Sequence, residues 1–149
     1  MFRTAIDTEI VIEAPAELIW EVLTKFEEYP QWNPFVVQIS GELEVGKKLR
    51  ATMQPQGSKA MTFTPTVCTA EAGRGFRWKG QLWKPGIMDG EHSFVLEPAG
   101  PGLTRFVHSE RFNGVLVPLI LAIIRAKTTA GFVAMNEALK LRAQQMASK

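Results

Sequence analysis

Hydrophobic and polar residues follow two different periods along the chain, and the order of those periods predicts the structural elements. Near the N-terminus Ile6, Ile10 and Ile12 alternate with polar residues, a period of two that is typical of a half-buried strand. After Pro15 a short helix is predicted by apolar residues at helical spacing, namely Leu18, Ile19, Val22 and Leu23. The segment from Phe26 to Pro34 contains two prolines four residues apart, which allow only one further short turn of helix.

The period of two returns and dominates the middle of the chain, from Phe35 to Asn113. Turn signals rich in glycine and proline separate the alternating runs. They predict six strands at hairpin spacing, which span Phe35–Glu42, Lys47–Gln54, Ala60–Glu71, Gly75–Trp83, Met88–Glu97 and Leu103–Phe112. Together with the opening strand, these runs predict one seven-stranded antiparallel sheet.

From Gly114 onwards the pattern becomes helical, and it predicts a single long helix over Leu116–Met146. One broad face of this helix carries Ile120, Ile124, Thr128, Phe132, Met135 and Leu139. A sheet curved around the helix would bury the apolar faces of both. We therefore expect an α+β fold in which residues 1–149 form one domain, with two short helices after the first strand.

Three segments resemble the START-like (SRPBCC) superfamily, which has the helix-grip fold. Ile12–Leu23 is similar to its strand-to-helix opening, Phe26–Pro34 to its second short helix, and Gly131–Lys140 to the end of its long helix. The resemblance is specifically to the bacterial branch of polyketide cyclases/dehydrases and lipid transport proteins. It implies an internal cavity between the sheet and the long helix that accepts an apolar small molecule, and it does not imply a metal. We expect no cofactor.

Composition narrows the classes of function. The chain has 149 residues, of which 46% are hydrophobic and 21% charged, and a net charge of +2 is too small to indicate a nucleic-acid binder. The single cysteine, Cys68, excludes an internal disulfide framework and a multi-cysteine metal site. The first residues lack the pattern of a secretory signal, and the longest apolar run, Val115–Ile124, is about half as long as a membrane span. We expect a cytoplasmic protein without a transmembrane segment.

The candidate chemistry lies on the last two predicted strands. Strand parity, set by their even-numbered apolar residues, turns His92, His108 and Glu110 toward the inner face of the sheet. A five-residue hairpin loop, Pro98–Gly102, would place the two histidines directly opposite each other. This spacing predicts a cluster of two imidazoles and one carboxyl on the concave surface.

Three interpretations of this cluster stay open. It can be a polar patch whose members satisfy one another. It can orient a ligand, with acid/base catalysis by His92 or His108 and Glu110 as the extreme case. It can also hold a metal ion, since two histidines and a glutamate match zinc ligands in type, although no further inward Asp or His is available to orient them. We expect no metal.

The cavity itself is predicted to be of the order of 300–1,000 Å³. Its predicted ligand-binding residues, beside the polar cluster, are Trp78, Phe94, Phe106, Ile120, Ile124, Thr128 and Met135. The apolar segment Val115–Ile124 allows three interpretations: a buried helix start, a mobile entrance to the cavity, or a surface in transient contact with a membrane or a second copy. The pattern favours the entrance, because burial alone does not account for apolar residues on every side of a helix.

Three functions from different classes follow from these expectations. The first is the binding or transport of a hydrophobic small molecule such as a lipid, a quinone, or a polyketide-like or aromatic metabolite. The second is a cyclase or dehydratase acting on a polyketide-like substrate through His92, His108 and Glu110, without a redox cofactor. The third is a quinone-biosynthesis accessory or co-chaperone-like protein that binds a partner through its surface.

Overall fold

The elements follow one another in the predicted order in the computed structural model, which describes residues 2–82 and 84–149. In chain order they are β1 (Phe2–Ile12), α1 (Ala16–Thr24), a 3-10 turn (Phe26–Glu28), α2 (Tyr29–Trp32), β2 (Val36–Ser40), β3 (Arg50–Met53), β4 (Met61–Phe63), β5 (Thr66–Glu71), β6 (Gly75–Leu82), β7 (Met88–Gly100), β8 (Leu103–Gly114) and α3 (Val117–Ala147). A curved antiparallel sheet with a long C-terminal helix confirms the helix-grip fold. Trp83, the predicted end of the fourth of the six middle strands, lies outside the described residues.

The strands form two hydrogen-bonded sets in place of the single seven-stranded sheet that was predicted. The larger set has the order β1-β8-β7-β6-β5, and the smaller set has the order β2-β3-β4. The predicted strand Ala60–Glu71 divides into β4 and β5 at Pro65, which carries no N–H to continue a ladder. A bridge between Lys48 and Thr66 links the two sets.

The turn between β7 and β8 is shorter than predicted. Gly100 pairs with Leu103, so two residues, Pro101 and Gly102, join the strands, and the register shifts once near Pro98. The expectation of a five-residue loop was therefore wrong. Because both strands extend further into the turn, every pair along the hairpin is displaced from its predicted partner.

The displacement amounts to two residues, and it leaves every side chain on its predicted face. His92 lies opposite Glu110, and Phe94 lies opposite His108. The prediction that His92 and His108 are direct cross-strand partners was wrong, because they are diagonal neighbours. Side chains alternate with a period of two, so a shift of two residues preserves the inner face.

Helix α3 closes the concave side of the sheet with its buried face. The core includes Ile12, Phe94, Leu96, Phe106, Phe132, Met135 and Leu139, which are buried, and Ile10 and Trp20 pack against it half-buried. Gly131 allows a close approach to Phe35, the residue just before β2, because a Cβ at position 131 would lie 2.5 Å from Cδ1 of Phe35. The helix begins with Pro118 in its first turn, which suits the fixed φ of proline.

Helix α3 is also long enough, at 31 residues, and apolar enough to cross a membrane, on length and composition alone. A helix that buries one face against a sheet meets the same criterion. In this fold α3 packs against β1, β8 and α1. The cytoplasmic location stays a prediction.

Candidate functional site

Both histidines lie in a continuous chain of buried polar groups between the sheet and α3. His92 Nε2 is 2.7 Å from His108 Nε2, and His108 Nδ1 is 2.8 Å from Oδ1 of Asn136. The Asn136 amide nitrogen then donates to Oγ1 of Thr8 at 2.9 Å, and the Thr8 hydroxyl donates to the His108 carbonyl at 2.7 Å. The two imidazoles are fully buried, so these groups satisfy one another inside the protein.

The direction of each hydrogen bond follows from the single hydroxyl proton of Thr8. That proton is donated to the His108 carbonyl, so Thr8 Oγ1 accepts from Asn136, and the carboxamide oxygen of Asn136 faces His108. His108 must therefore carry its proton on Nδ1 and accept at Nε2. His92 in turn donates from Nε2, which leaves its Nδ1 as a bare acceptor.

Aromatic rings hold the two imidazoles in place. The His108 ring stacks on Phe132 of α3 with centroids 4.1 Å apart and an interplanar angle of 10°. The His92 ring stacks on Phe94 at 4.6 Å and 11°. These flat contacts exclude water from both rings and fix their orientation.

The bare acceptor of His92 faces the carboxyl of Glu110. Its Nδ1 is 3.6 Å from Glu110 Oε1, a distance longer than a hydrogen bond. Gly90 makes room for this carboxyl, because a Cβ at position 90 would collide with Glu110 Oε2. About 19% of the Glu110 side chain remains accessible, so this residue connects the buried polar chain to the space beyond it.

Burial sets the charge state of all three titratable groups. It lowers the pKa of His92 well below its usual range, and the neighbouring His108 lowers it further. Burial also lowers the pKa of His108 to about 4, against the opposing effect of its hydrogen bond to Asn136. Burial raises the pKa of Glu110 to about 8. At pH 7 the site therefore consists of two neutral imidazoles and a neutral carboxylic acid.

A cavity of about 280 Å³ lies in front of Glu110, enclosed by β3, β4, β6, β7, β8 and α3. It is slightly smaller than predicted. Its apolar wall is formed by Phe35, Met53, Met61, Phe63, Trp78, Leu82, Met88, Phe112, Ile120 and Ile124. Glu110 is the one carboxyl among the lining residues, and Lys59 and Lys127 stand at the rim. A larger groove of about 640 Å³ at the other end of the sheet is open to solvent and remote from this chemistry.

The cavity includes some of the predicted residues and leaves others behind its wall. Trp78, Glu110, Ile120, Ile124 and Thr128 line it as predicted. The residues that do not line it are His92, Phe94, Phe106, His108 and Met135, and all five are buried. They share the inner face of the sheet or helix, but Phe132 and its neighbours on α3 fill the space over them.

Asn136 and Thr8, which are not among the predicted site residues, complete the polar chain. Each carries a usable signal. Asn136 is a polar residue on the buried face of α3 between Phe132 and Leu139. Thr8 interrupts the even-numbered apolar series of β1, and it lies opposite His108 in the sheet. Both residues are therefore recognisable in the sequence as polar positions within a series of apolar ones.

The metal-ion interpretation does not fit this geometry. Two imidazole nitrogens bound to one zinc ion at tetrahedral angles lie roughly 3.3 Å apart. The facing nitrogens of His92 and His108 are 2.7 Å apart, which is a direct hydrogen bond. The described residues contain no group of three His, Cys, Asp or Glu side chains arranged to hold a metal.

Fold and site together define a class of protein: a helix-grip domain with an apolar cavity that carries one buried carboxyl. The family described as polyketide cyclase / dehydrase and lipid transport matches residues 3–144, and the chain belongs to that family. It is thereby a member of the START-like superfamily. No curated protein matches the sequence.

Solved structures with the same fold are distant in sequence. The Zhui aromatase/cyclase from Streptomyces sp. R1128 is 16% identical, with a TM-score of 0.77 over 97% of this chain and 95% of that one. Norcoclaurine synthase from Thalictrum flavum, in complex with dopamine and hydroxybenzaldehyde, is 17% identical, with a TM-score of 0.74 over 99% and 90%. A START superfamily protein from Mycobacterium smegmatis is 22% identical, with a TM-score of 0.70 over 95% and 98%. At these identities the likeness supports the fold alone.

Proposed function

We propose that this protein binds an apolar small molecule bearing a carbonyl or hydroxyl oxygen, and that the neutral carboxyl of Glu110 donates a hydrogen bond to that oxygen. The observation that carries the proposal is the single carboxyl in a mostly apolar lining, with its pKa raised to about 8. Pockets of this kind bind by burial of apolar surface and select by their few polar groups. Norcoclaurine synthase, which has the same fold, is known in complex with dopamine and hydroxybenzaldehyde, so this fold can accommodate small oxygenated aromatics.

A matched pair of probes tests the role of the carboxyl. Acetylnaphthalene accepts a hydrogen bond at its carbonyl, whereas ethylnaphthalene has nearly the same size and shape and no acceptor. A hydrogen bond from a neutral acid contributes about 0.5–1.5 kcal/mol net, so we expect the carbonyl probe to bind roughly 3–10-fold more tightly at pH 7. Fluorescence titration or calorimetry measures both affinities.

Two substitutions and a change of pH separate the hydrogen bond from simple burial. In wild type the preference for the carbonyl probe should disappear at about pH 9, where Glu110 is ionised and no longer donates. Glu110→Gln should retain the preference at both pH values, since the amide still donates, and Glu110→Leu should lose it at both. Glu91→Gln, a change in the carboxyl that pairs with Arg77 across the surface, is the matched control. Equal affinities for the two probes in wild type at pH 7 would refute the proposal.

A second candidate function is acid catalysis of dehydration or cyclisation, and the polar chain behind Glu110 is the observation that favours it. Glu110 could give its proton to a leaving hydroxyl and take one from the adjacent carbon, so that water leaves and the carboxyl is restored. The unprotonated His92 Nδ1 lies 3.6 Å from the carboxyl, beyond hydrogen-bond distance, so the proton of the acid stays available to the leaving hydroxyl. His92 and His108 lie behind the cavity wall and so act through Glu110.

A β-hydroxyketone that carries a naphthyl group separates catalysis from binding. Its dehydration gives a conjugated enone, whose absorbance reports turnover directly. If the protein is an enzyme of this kind, wild type should form the enone, and Glu110→Gln should bind the compound with similar affinity but lose turnover by about 100-fold or more. Binding without turnover in wild type would leave the binding function and remove the catalytic one.

A further inference from the structure

The N-terminal half of α3 has two apolar faces, and the outer one is uncovered. Its inner face contributes Ile120 and Ile124 to the cavity wall. On an adjoining side Leu119 and Ile123 are exposed by 63% and 73%, and Val115, in the turn before the helix, is exposed by 54%. The spacing of four residues keeps Leu119 and Ile123 in one stripe along the helix. Three large exposed apolar side chains at one helix start indicate a contact surface.

Neighbouring segments extend this stripe at the same end of the molecule. Phe2, which is 56% exposed, lies opposite Gly114 at the start of β1. The backbone N–H of Val115 donates to the Gly86 carbonyl at 2.9 Å, which places the loop before β7 beside the start of α3. We refer to Phe2, Val115, Leu119 and Ile123 as the apolar end face.

The segments next to the apolar end face carry more basic than acidic residues. Residues 111–136 include Arg111, Arg125 and Lys127 and contain no Asp or Glu. Arg3 and Lys84 are exposed in the two adjoining segments. The acidic residue at the start of β7, Asp89, is half-buried and accepts hydrogen bonds from the Gly86 N–H. This end of the molecule therefore combines exposed apolar side chains with neighbouring basic ones, which form its basic rim.

We propose that the apolar end face docks on an anionic lipid surface. Apolar side chains on one side of a helix with Lys and Arg at its border are the composition of an interfacial helix, and anionic headgroups attract the basic rim. A second copy of the chain fits less well, because a two-fold contact would bring the same cationic groups face to face. The inner face of the same helix half lines the cavity, so docking would bring the cavity close to the lipid.

Vesicle binding of the full chain, without added ligand, tests the docking. Wild type should co-sediment with phosphatidylcholine vesicles that contain about 30% phosphatidylglycerol and bind weakly to phosphatidylcholine alone. Binding should weaken as NaCl rises from about 50 mM to about 500 mM, because salt screens the basic rim. Absence of binding to the anionic vesicles at low salt would overturn the proposal.

Paired variants identify the surface. Leu119→Ser with Ile123→Ser should lower the vesicle partition coefficient at least about tenfold, since both side chains would lie in the interface. Val45→Ser with Leu141→Ser is the matched control, because both positions are 61% exposed but lie elsewhere; its effect should stay within about twofold. Arg3→Gln with Lys84→Gln should weaken binding only to the anionic vesicles, by several-fold.

The results that would contradict docking differ from those that would contradict the proposed ligand binding. An L119S/I123S variant that binds vesicles as well as the control pair would overturn the docking. A wild-type dimer in light scattering that L119S/I123S converts to a monomer would assign the face to a second copy instead. Affinity for acetylnaphthalene in solution, measured on the same variants, should be unchanged, because positions 119 and 123 do not line the cavity.

Discussion

At the scale of single residues, Glu110 is the point where the buried polar chain meets the cavity. The Thr8 hydroxyl fixes the direction of the hydrogen bonds behind Glu110, first to Asn136 and then to His108. As a result His92 presents an unprotonated Nδ1 to the Glu110 carboxyl. Burial then favours the protonated carboxyl in front of that nitrogen. Burial thus leaves a neutral hydrogen-bond donor at a mostly apolar cavity, where such a group has its largest effect on specificity.

The two histidines should therefore occupy opposite tautomers, and this is directly measurable. Long-range ¹⁵N–¹H correlation spectra at pH 7 should show His108 protonated at Nδ1 and His92 protonated at Nε2. The chain has only these two histidines, so a His92→Gln variant assigns the signals. Asn136→Leu should erase the preference of His108 and lower the free energy of unfolding by about 1–3 kcal/mol, because the Nδ1 proton loses this acceptor. Identical tautomers of the two histidines in wild type would contradict the direction deduced for these hydrogen bonds.

At the scale of elements, the position of α3 over the sheet separates core from cavity. The helix approaches closely at Gly131, where it meets Phe35, and Phe132 covers the imidazoles at the next position. Toward its N-terminus, Ile120 and Ile124 face open space instead. One helix thus closes the hydrophobic core with its C-terminal part and forms a wall of the cavity with its N-terminal part.

Gly131→Ala should destabilise the protein even though alanine favours a helix. The helical gain is about 1 kcal/mol, but the new Cβ would lie 2.5 Å from the Phe35 ring. That ring is buried against Phe132, so it has little room to move, and overpacking costs about 1–3 kcal/mol. Urea denaturation should show a net loss, whereas Val133→Ala on the exposed side should change stability by about 0.5 kcal/mol or less.

A double-mutant cycle shows whether the contact with Phe35 is the cause. In a Phe35→Leu background the smaller side chain leaves space for the Cβ, so Gly131→Ala should become neutral or stabilising. The same loss in both backgrounds would mean that the close approach of helix and sheet does not limit position 131.

At the scale of the whole molecule, three buried neutral groups make folding stability depend on pH in two directions. Below about pH 6.5 the unfolded chain gains two protons on its histidines, whereas folded His92 and His108 remain neutral until the pH is much lower. From about pH 4.5 to pH 8 the unfolded chain has lost the Glu110 proton that the folded protein retains. Acidification therefore destabilises through the histidines, and alkalinisation destabilises through Glu110.

We expect maximal stability near pH 6.5. Between about pH 4.5 and 6.5 the net difference is one proton, so the free energy of unfolding should rise with pH by about 1.4 kcal/mol per unit. From pH 6.5 to pH 8 the free energy of unfolding should fall by about 2 kcal/mol, because in this range Glu110 is the one group of the three whose protonation differs between the folded and unfolded chain. Glu110→Gln should abolish this fall and double the acid slope to about 2.7 kcal/mol per unit, while Glu91→Gln should follow wild type. Urea titrations across this range measure both slopes, and a flat profile in wild type would contradict the neutral site.

Local periods in the sequence were sufficient to predict the element order, a sheet curved around a long helix, and the inward direction of His92, His108 and Glu110. Those features depend on local alternation, which a shift of two residues in the β7–β8 register does not change. The polar residues within apolar periods, Thr8 and Asn136, were also readable from the sequence, although they were not singled out.

Which inward residues line the cavity depends on tertiary packing. His92, Phe94 and Glu110 share one face of the hairpin, yet Glu110 alone of the three lines the cavity. The difference arises from the position at which α3 comes closest to the residues beneath it. That position depends on the packing of Gly131 against Phe35, and no periodic pattern in the sequence reports it. The pairing of the two imidazoles likewise required a two-residue turn and a bulge, and these are set by contacts along the whole hairpin rather than by the loop residues.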